Sequence, residues 1–142
     1  MTTVQRPTAA FVGASGGALL IGVFAFLWGL WNARMQLNEK GYYLTLLLYG
    51  LFAAISLQKS VRDRSEGIHV TGLYFSLCWF SLFAVAALLT IGLWNATLQP
   101  SEKGFYAMSF VLSLFAVVAV QKNVRDLGGI DKPVAMAGPE QA

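Results

Sequence analysis

One phrase occurs twice in the chain, and that duplication limits the possible folds more than any other feature. The first copy runs Gly29-Leu30-Trp31-Asn32-Ala33, then Glu39-Lys40-Gly41, then an apolar run, then Gln58-Lys59 and Val61-Arg62-Asp63. The second runs Gly92-Leu93-Trp94-Asn95-Ala96, Glu102-Lys103-Gly104, a second apolar run, Gln121-Lys122 and Val124-Arg125-Asp126. The offset is constant from Gly29 and Gly92 to Asp63 and Asp126. A repeat of this length has to be one supersecondary unit used twice. Here the unit is two apolar segments joined by a short polar connection.

Four apolar runs carry the repeats: 11–31, 41–57, 70–94 and 104–120. None contains Asp, Glu, Lys, Arg or His. Only 12% of the 142 residues are charged and 56% are hydrophobic, whereas a soluble domain carries a charged fraction of about 25%. Such a bundle lacks the polar surface for water, so its solvent is a bilayer. At about 1.5 Å per residue, a run of this kind as a helix approaches or exceeds the ~30 Å hydrocarbon core. The second run is short, and its helix is expected to continue over Glu39-Lys40 and through Gln58 to Asp63. Between runs the chain has to turn in the interface and re-enter as helix, because extended backbone in lipid would leave its amides unpaired.

The organisation that follows is all-α: four transmembrane helices arranged as two parallel helical-hairpin repeats. Residues 1–10 form an N-terminal cytoplasmic segment, 11–66 the first two-helix repeat and 67–130 the second. The Pro-, Gly- and Ala-containing tail 131–142 is expected to be disordered and cytoplasmic. The first run is expected to be a retained span and not a cleaved leader, since its end recurs in the third run and no A-x-A site follows it. Asn38 is expected to cap the second helix, with Glu39 in its first turn, and Pro100-Ser101-Glu102 to start the fourth. Small residues fall on one face of the first span (Ala14, Ala18, Gly22, Ala25, Gly29), of the second (Gly50, Ala53, Ser56, beside Leu46) and of the fourth (Ser109, Ser113, Ala116, Ala119). Such faces let helix backbones approach closely in lipid.

Lys and Arg set the orientation. The N-terminus, the link between repeats and the C-terminal region hold Arg6, Lys59, Arg62, Arg64, Lys122, Arg125 and Lys132. The two Trp-Asn-Ala connections hold only Arg34, Lys40 and Lys103. The richer side is cytoplasmic by the positive-inside rule, which puts both termini inside. Each repeat crosses twice, so the copies are parallel, related by an axis along the membrane normal, and not inverted.

Two polar clusters are candidate sites. The outer one is Trp31, Asn32, Gln36, Glu39 and Lys40 with Trp94, Asn95, Gln99, Glu102 and Lys103. The plain reading is helix ends, with Trp28, Trp31, Trp94, Tyr42, Tyr43 and Tyr106 forming an interfacial aromatic belt. The sharper reading pairs Glu39 with Lys103 and Glu102 with Lys40 across the pseudo-twofold axis. The inner cluster is Gln58, Lys59, Arg62 and Asp63 with Gln121, Lys122, Arg125 and Asp126. It reads as a positive-inside anchor, with Lys59 and Asp63 able to pair along the helix. The sharper alternative is a contact for an anionic lipid head group or an acidic partner. No nucleic-acid surface is expected, for want of a basic stripe with interleaved aromatics.

Other chemistry finds little footing. The charge-free spans speak against a proton-coupled antiporter, which needs an intramembrane ionisable group. His69 and Cys78 are each the single residue of their type and sit in different settings, a link and an apolar run, so no metal site is expected. No phosphate-cradling glycine loop is present, and no cofactor is implied.

The doubled phrase closely resembles the bacterial YiaA/YiaB inner-membrane proteins, whose unit is a two-helix domain, over residues 11 to 127. That resemblance implies a multi-pass protein of the bacterial inner (plasma) membrane, and it implies no activity. The reading that combines both is a non-enzymatic structural or scaffold protein. Its expected partners are membrane lipids and either a second copy, docked through the small-residue faces, or another membrane protein. The alternative is a transporter or channel for a small neutral or lipidic solute, using Ser56, Ser76, Ser81, Thr90, Ser109 and Ser113. A weaker third reading is a membrane enzyme using Glu39 and Glu102.

Overall fold

A computed structural model describes the backbone of residues 6–141 and the side chains of residues 6–129. Four helices make it up: α1 (Ala9–Asn32), α2 (Leu37–Ser65), α3 (Gly72–Asn95) and α4 (Pro100–Gln141). No strand occurs among the described residues. Each helix contains a stretch long and apolar enough to cross a membrane, as expected. The 24 residues of α1 and of α3 span about 36 Å at ~1.5 Å per residue.

The helix ends have local causes. Thr8 Oγ1 accepts from the Phe11 amide at 3.1 Å, and Thr71 Oγ1 accepts from the Tyr74 amide at 3.3 Å. These are equivalent caps on α1 and α3, each satisfying one of the orphan amides of a first turn. The cap of α2 differs from expectation. The residue at that position is Gln36, without a side-chain bond, and Asn38 lies inside the first turn, accepting from the Glu39 amide at 3.0 Å. Gly67 ends α2 in the left-handed region, at φ 80°. The Ile68 amide then reaches back to the Asp63 carbonyl at 2.8 Å and the Gly67 amide to that of Arg64 at 3.2 Å. This is a Schellman close, and it needs the glycine.

The tail departs from expectation too. Its backbone continues α4 through Gln141 where 131–142 was expected to be disordered. The Ala135-Met136-Ala137 run suits a helix, and Pro133 takes one donor from the ladder. Side chains from 130 onward, and residue 142, lie outside the described residues.

The two helices of the first repeat do not pack along each other. α1 lies along α4 and α3 lies along α2, while α2 and α4 form the middle pair; α1 and α2 of the same repeat barely touch. Each repeat thus lends its first helix to the second helix of the other. The small stripe of α1 serves this exchange. A Cβ on Gly22 would stand 2.7 Å from Ser113 Oγ and 3.0 Å from the Ser113 amide nitrogen, and one on Gly29 would stand 2.8 Å from the Phe105 ring. Gly22 and Gly29 are therefore occupied within the chain, which corrects the expectation that they carry self-association. Leu46, Gly50, Ala53 and Ser56 of α2 and Ser109, Ser113 and Ala116 of α4 are buried likewise.

The core gathers Phe26 and Leu30 from α1, Tyr43, Leu46 and Leu47 from α2, Val85, Leu89 and Leu93 from α3, and Tyr106 and Phe110 from α4. Outward lie Leu20, Ile21, Phe24 and Trp28 on α1 and Leu73, Phe80 and Phe83 on α3, all well exposed. So large an apolar exterior marks a surface meant for lipid or partner and not for water.

Candidate functional site

The polar residues collect at the two ends of the bundle: a link end, around 58–66 and 121–126, and a loop end, around the two Trp-Asn connections. At the link end, α2 and α4 bring both Val-Arg-Asp triplets together. Arg125 Nη2 donates to Asp63 Oδ1 at 2.6 Å, and Arg62 Nη2 donates to Asp126 Oδ1. The second oxygen of each aspartate takes the lysine one turn earlier, Lys59 Nζ at 2.8 Å and Lys122 Nζ at 2.9 Å. Glu66 closes the circuit by accepting Arg62 Nε at 2.7 Å and Arg125 Nη2 at 2.7 Å. The side chains of Asp63 and Asp126 are each only 8% exposed, whereas Lys59 and Lys122 are 57% and 52% exposed. Arg62, then Arg125, hold the Glu66 carboxyl below its usual range, outweighing the desolvation that raises it.

The expected Lys59–Asp63 pair is present, with its twin Lys122–Asp126. The cross-repeat pairing was placed at the wrong end, however: it joins Arg to Asp at the link end. Among the described residues neither Glu39 nor Glu102 has an ion-pair partner. The signal for the true pairing was the adjacent Arg-Asp, a self-complementary dipeptide that a twofold axis sets against its own copy. Glu66 has no twin, since Gly129 stands in the equivalent place, and nothing in the repeat points to it. Four cations of this network meet three carboxylates, so the positive charge left at the link end for an anionic head group is that of the two exposed lysines and of Arg64, which makes no ion pair among the described residues. Gln58 and Gln121 make no side-chain hydrogen bond among the described residues.

One turn deeper, Asn123 Nδ2 donates to Ser15 Oγ at 3.4 Å and Ser60 Oγ lies 3.5 Å from Cys78 Sγ. These are equivalent contacts, each between one repeat's first helix and the other's second. Asn123 Oδ1 is buried without a partner. Arg64 stacks its guanidinium 4.4 Å over the Phe75 ring.

At the loop end, Asn32 Nδ2 donates to the Trp28 carbonyl at 2.9 Å and Asn95 Nδ2 to the Ile91 carbonyl at 2.8 Å. Lys40 Nζ donates to the Trp31 carbonyl at 3.2 Å and Lys103 Nζ to that of Trp94 at 3.5 Å. Each lysine thus caps the carbonyl end of the preceding helix, where a cation suits the dipole. Trp31 and Trp94 are 81% and 82% exposed, in keeping with an interfacial belt. Gln36 and Gln99 are exposed on the connections. Tyr43 and Tyr106 leave the expected belt: they are buried, their rings 6.1 Å apart and 18° from parallel between α2 and α4.

Two equivalent grooves open beside them. One, of about 340 Å³, lies between α1 and α4 and is lined by Gly29, Asn32, Glu102, Phe105 and Tyr106. The other, of about 380 Å³, lies between α3 and α2 and is lined by Gly92, Asn95, Glu39, Tyr42 and Tyr43. They differ chiefly where Tyr42 replaces Phe105; the Tyr42 hydroxyl donates to the Leu88 carbonyl at 2.6 Å. Among the described residues no group of three or more His, Cys, Asp or Glu side chains converges to hold a metal ion.

Of the six hydroxyl residues weighed as a polar lining, three are turned back on their own helices, while Ser56, Ser76 and Ser81 make no side-chain hydrogen bond among the described residues. Ser109 donates to the Tyr106 carbonyl, Ser113 to that of Ser109 and Thr90 to that of Ala86. Phe26, Leu47 and Val85 fill the middle with no more than 1% exposure.

Comparison with known proteins gives a consistent picture. The model of the yiaA/B two helix domain matches twice, over 11–63 and 74–126. The chain is 57% identical over 119 residues to the inner membrane protein YiaA of Escherichia coli, covering 84% of this chain and 82% of that one. It is 41% identical over 63 residues to the uncharacterized membrane protein YubF of Bacillus subtilis, covering 44% of this chain and 72% of that one. It is 28% identical over 97 residues to the inner membrane protein YiaB of Escherichia coli, covering 68% and 81%. No solved structure matches.

Proposed function

The chain belongs to the yiaA/B two-helix domain family, and on that premise we propose that it is a non-enzymatic structural protein of the bacterial inner membrane, a scaffold for a membrane partner. Both termini lie on the cytoplasmic side, with the link end inside and the loop end outside. The reading draws its location from the relatives called inner membrane proteins and its orientation from the Lys and Arg excess at the link end.

One observation carries the structural role. Apart from Glu39 and Glu102, the charged residues of the doubled phrase are used on the fold itself. Arg62, Arg125, Asp63 and Asp126 bind α2 to α4, and Lys40 and Lys103 close the ends of α1 and α3. A catalytic or conducting path would want such groups free or lining a route. The hydroxyls of Thr90, Ser109 and Ser113 bond their own backbones, and Phe26, Leu47 and Val85 fill the middle of the bundle with apolar side chains where a transporter would need a polar lining.

The test is photo-crosslinking in intact membranes, with the crosslinker on the apolar exterior of α1 or α3, followed by mass spectrometry. One recurrent protein neighbour, a second copy included, is the expected result. Proteoliposomes should show no solute flux above empty vesicles, and a saturable flux that depends on the chain overturns the reading. A reporter fused after Ala142 is expected to be active only on the cytoplasmic side.

A further inference from the structure

We propose that the two loop-end grooves are a pair of binding sites for a primary ammonium group, carried by an aminophospholipid head group or by a free amine.

The argument starts from groups left without partners. Glu39 and Glu102 line the grooves, their neighbouring lysines turn to the Trp31 and Trp94 carbonyls, and neither carboxylate has an ion-pair partner among the described residues. A place in the first turn of a helix explains a glutamate there by the dipole alone. It does not explain the tyrosines. Tyr43 and Tyr106 are 4% and 3% exposed, yet neither hydroxyl makes a hydrogen bond among the described residues. The rings are buried, but among the described residues Asn123 Oδ1 is the one buried side-chain polar atom without a partner, so each unpartnered hydroxyl opens into the groove its residue lines, where a ligand can meet it. The asparagines add a third group. Their Nδ2 atoms are used on helix carbonyls, which leaves Oδ1 of Asn32 and Asn95 free to accept.

Each groove therefore offers a carboxylate, an amide oxygen and a phenolic oxygen. An ammonium group carries three N–H donors and no acceptor, which matches this set. The aromatic rings of Phe105, or of Tyr42, are part of the same linings, a chemistry compatible with a cation. No Lys or Arg lines either groove and a carboxylate does, so an anion is disfavoured there. A quaternary ammonium has no N–H to give to the three acceptors. Position selects a head group too, because the grooves open at the ends of the apolar spans, where head groups lie.

The full chain, in nanodiscs and then released in detergent, is examined by native mass spectrometry with phosphatidylethanolamine, phosphatidylcholine and phosphatidylglycerol. Two phosphatidylethanolamines per chain are expected, retained at least tenfold over the other two lipids. Glu39→Gln or Glu102→Gln leaves one, and the double variant none. Ethanolamine and spermidine are titrated in parallel against lipid-loaded and lipid-free protein. Displacement of the lipid by either assigns lipid and amine to the same site. Amine binding lost in the double variant, without lipid retention, supports the site and names the free amine as its source. Equal retention of phosphatidylcholine overturns the proposal. So does binding in the double Gln variant as strong as in the unaltered chain, or no binding of either class. Should the Gln variants fail to fold, Tyr43→Phe with Tyr106→Phe serves with the same readouts, expected to weaken retention several-fold; unchanged retention there overturns the proposal.

Discussion

Arg125 donates to Asp63 at 2.6 Å across the interface between repeats, and Arg62 repays the contact to Asp126 from the other side. The two pairs are one interaction written twice by the duplication. They join the helices that form the middle of the bundle, α2 and α4. Because α1 leans on α4 and α3 on α2, a bond between the middle helices holds all four together.

Removing one member of a pair is expected to cost more than the pair contributes. Asp63→Ala leaves Arg125 with Glu66 alone, and Asp126→Ala leaves Arg62 likewise. Breaking a fully buried pair costs about 3–5 kcal/mol. Here the arginines are 22% and 24% exposed, so solvent screening brings the expectation to about 1–3 kcal/mol. A double-mutant cycle on Arg125→Ala and Asp63→Ala, read by unfolding in mixed micelles, should return a coupling of at least ~1 kcal/mol. Additive losses would show the contact to be incidental.

Glu66 gives the network a pH dependence with a defined sign. Its carboxyl is held below the ordinary value of 4.5 by Arg62 and Arg125. A folded-state value below the unfolded one means stability that is fully present above the ordinary range and lost as pH falls through the folded value. The midpoint of thermal unfolding should therefore drop faster on acidification from pH 6 to pH 3 in the unaltered chain than in Glu66→Gln. Parallel curves would place Glu66 outside the network.

The spans were legible because a charge-free run of that length has one outcome in lipid. Helix ends were legible where a residue acts locally, as Glu39 does in the first turn of α2. What escaped was everything that depends on which helices touch. A short connection such as 33–36 makes α1 and α2 neighbours in the chain, and nothing in it says that α1 will pack on α4. The cross-axis reasoning was sound, but the loop end and the link end both offered opposite charges. Only the packing shows that Lys40 turns to a helix end while Arg62 crosses to Asp126. Tyr42 and Tyr43 show the limit in one step. Adjacent positions on a helix are about 100° apart, enough to bury Tyr43 and leave Tyr42 at the groove edge.

Tyr42 has a built-in control. Its hydroxyl ties α2 to the Leu88 carbonyl of α3 at 2.6 Å, while the equivalent residue on α4 is Phe105 and makes no such bond. Tyr42→Phe is expected to lower stability by about 0.5–1.5 kcal/mol, the net worth of one hydrogen bond. Phe105→Tyr tests whether the other interface accepts the same bond. A gain there would show the two interfaces to be interchangeable, and a loss would show that the Gly29 side has no room for the hydroxyl.

The exchange of helices between repeats is open to the most direct test. Gly22 faces Ser113 so closely that a Cβ at position 22 would lie 3.2 Å from the Ser113 Cα. With Cys78 replaced by Ser, paired cysteines at 22 and 113 should crosslink rapidly within one chain. The pair at 22 and 50, which joins equivalent levels inside a single repeat, should not, since α1 and α2 barely meet. Bulk at the same spot should be felt as strain: Gly22→Leu is expected to destabilise by about 1–3 kcal/mol, the usual cost of overpacking, and Gly13→Leu, with nothing within 4 Å of its added Cβ, should not. Fast crosslinking of 22 to 50 would mean that each repeat closes on itself, and the exchanged arrangement would be wrong.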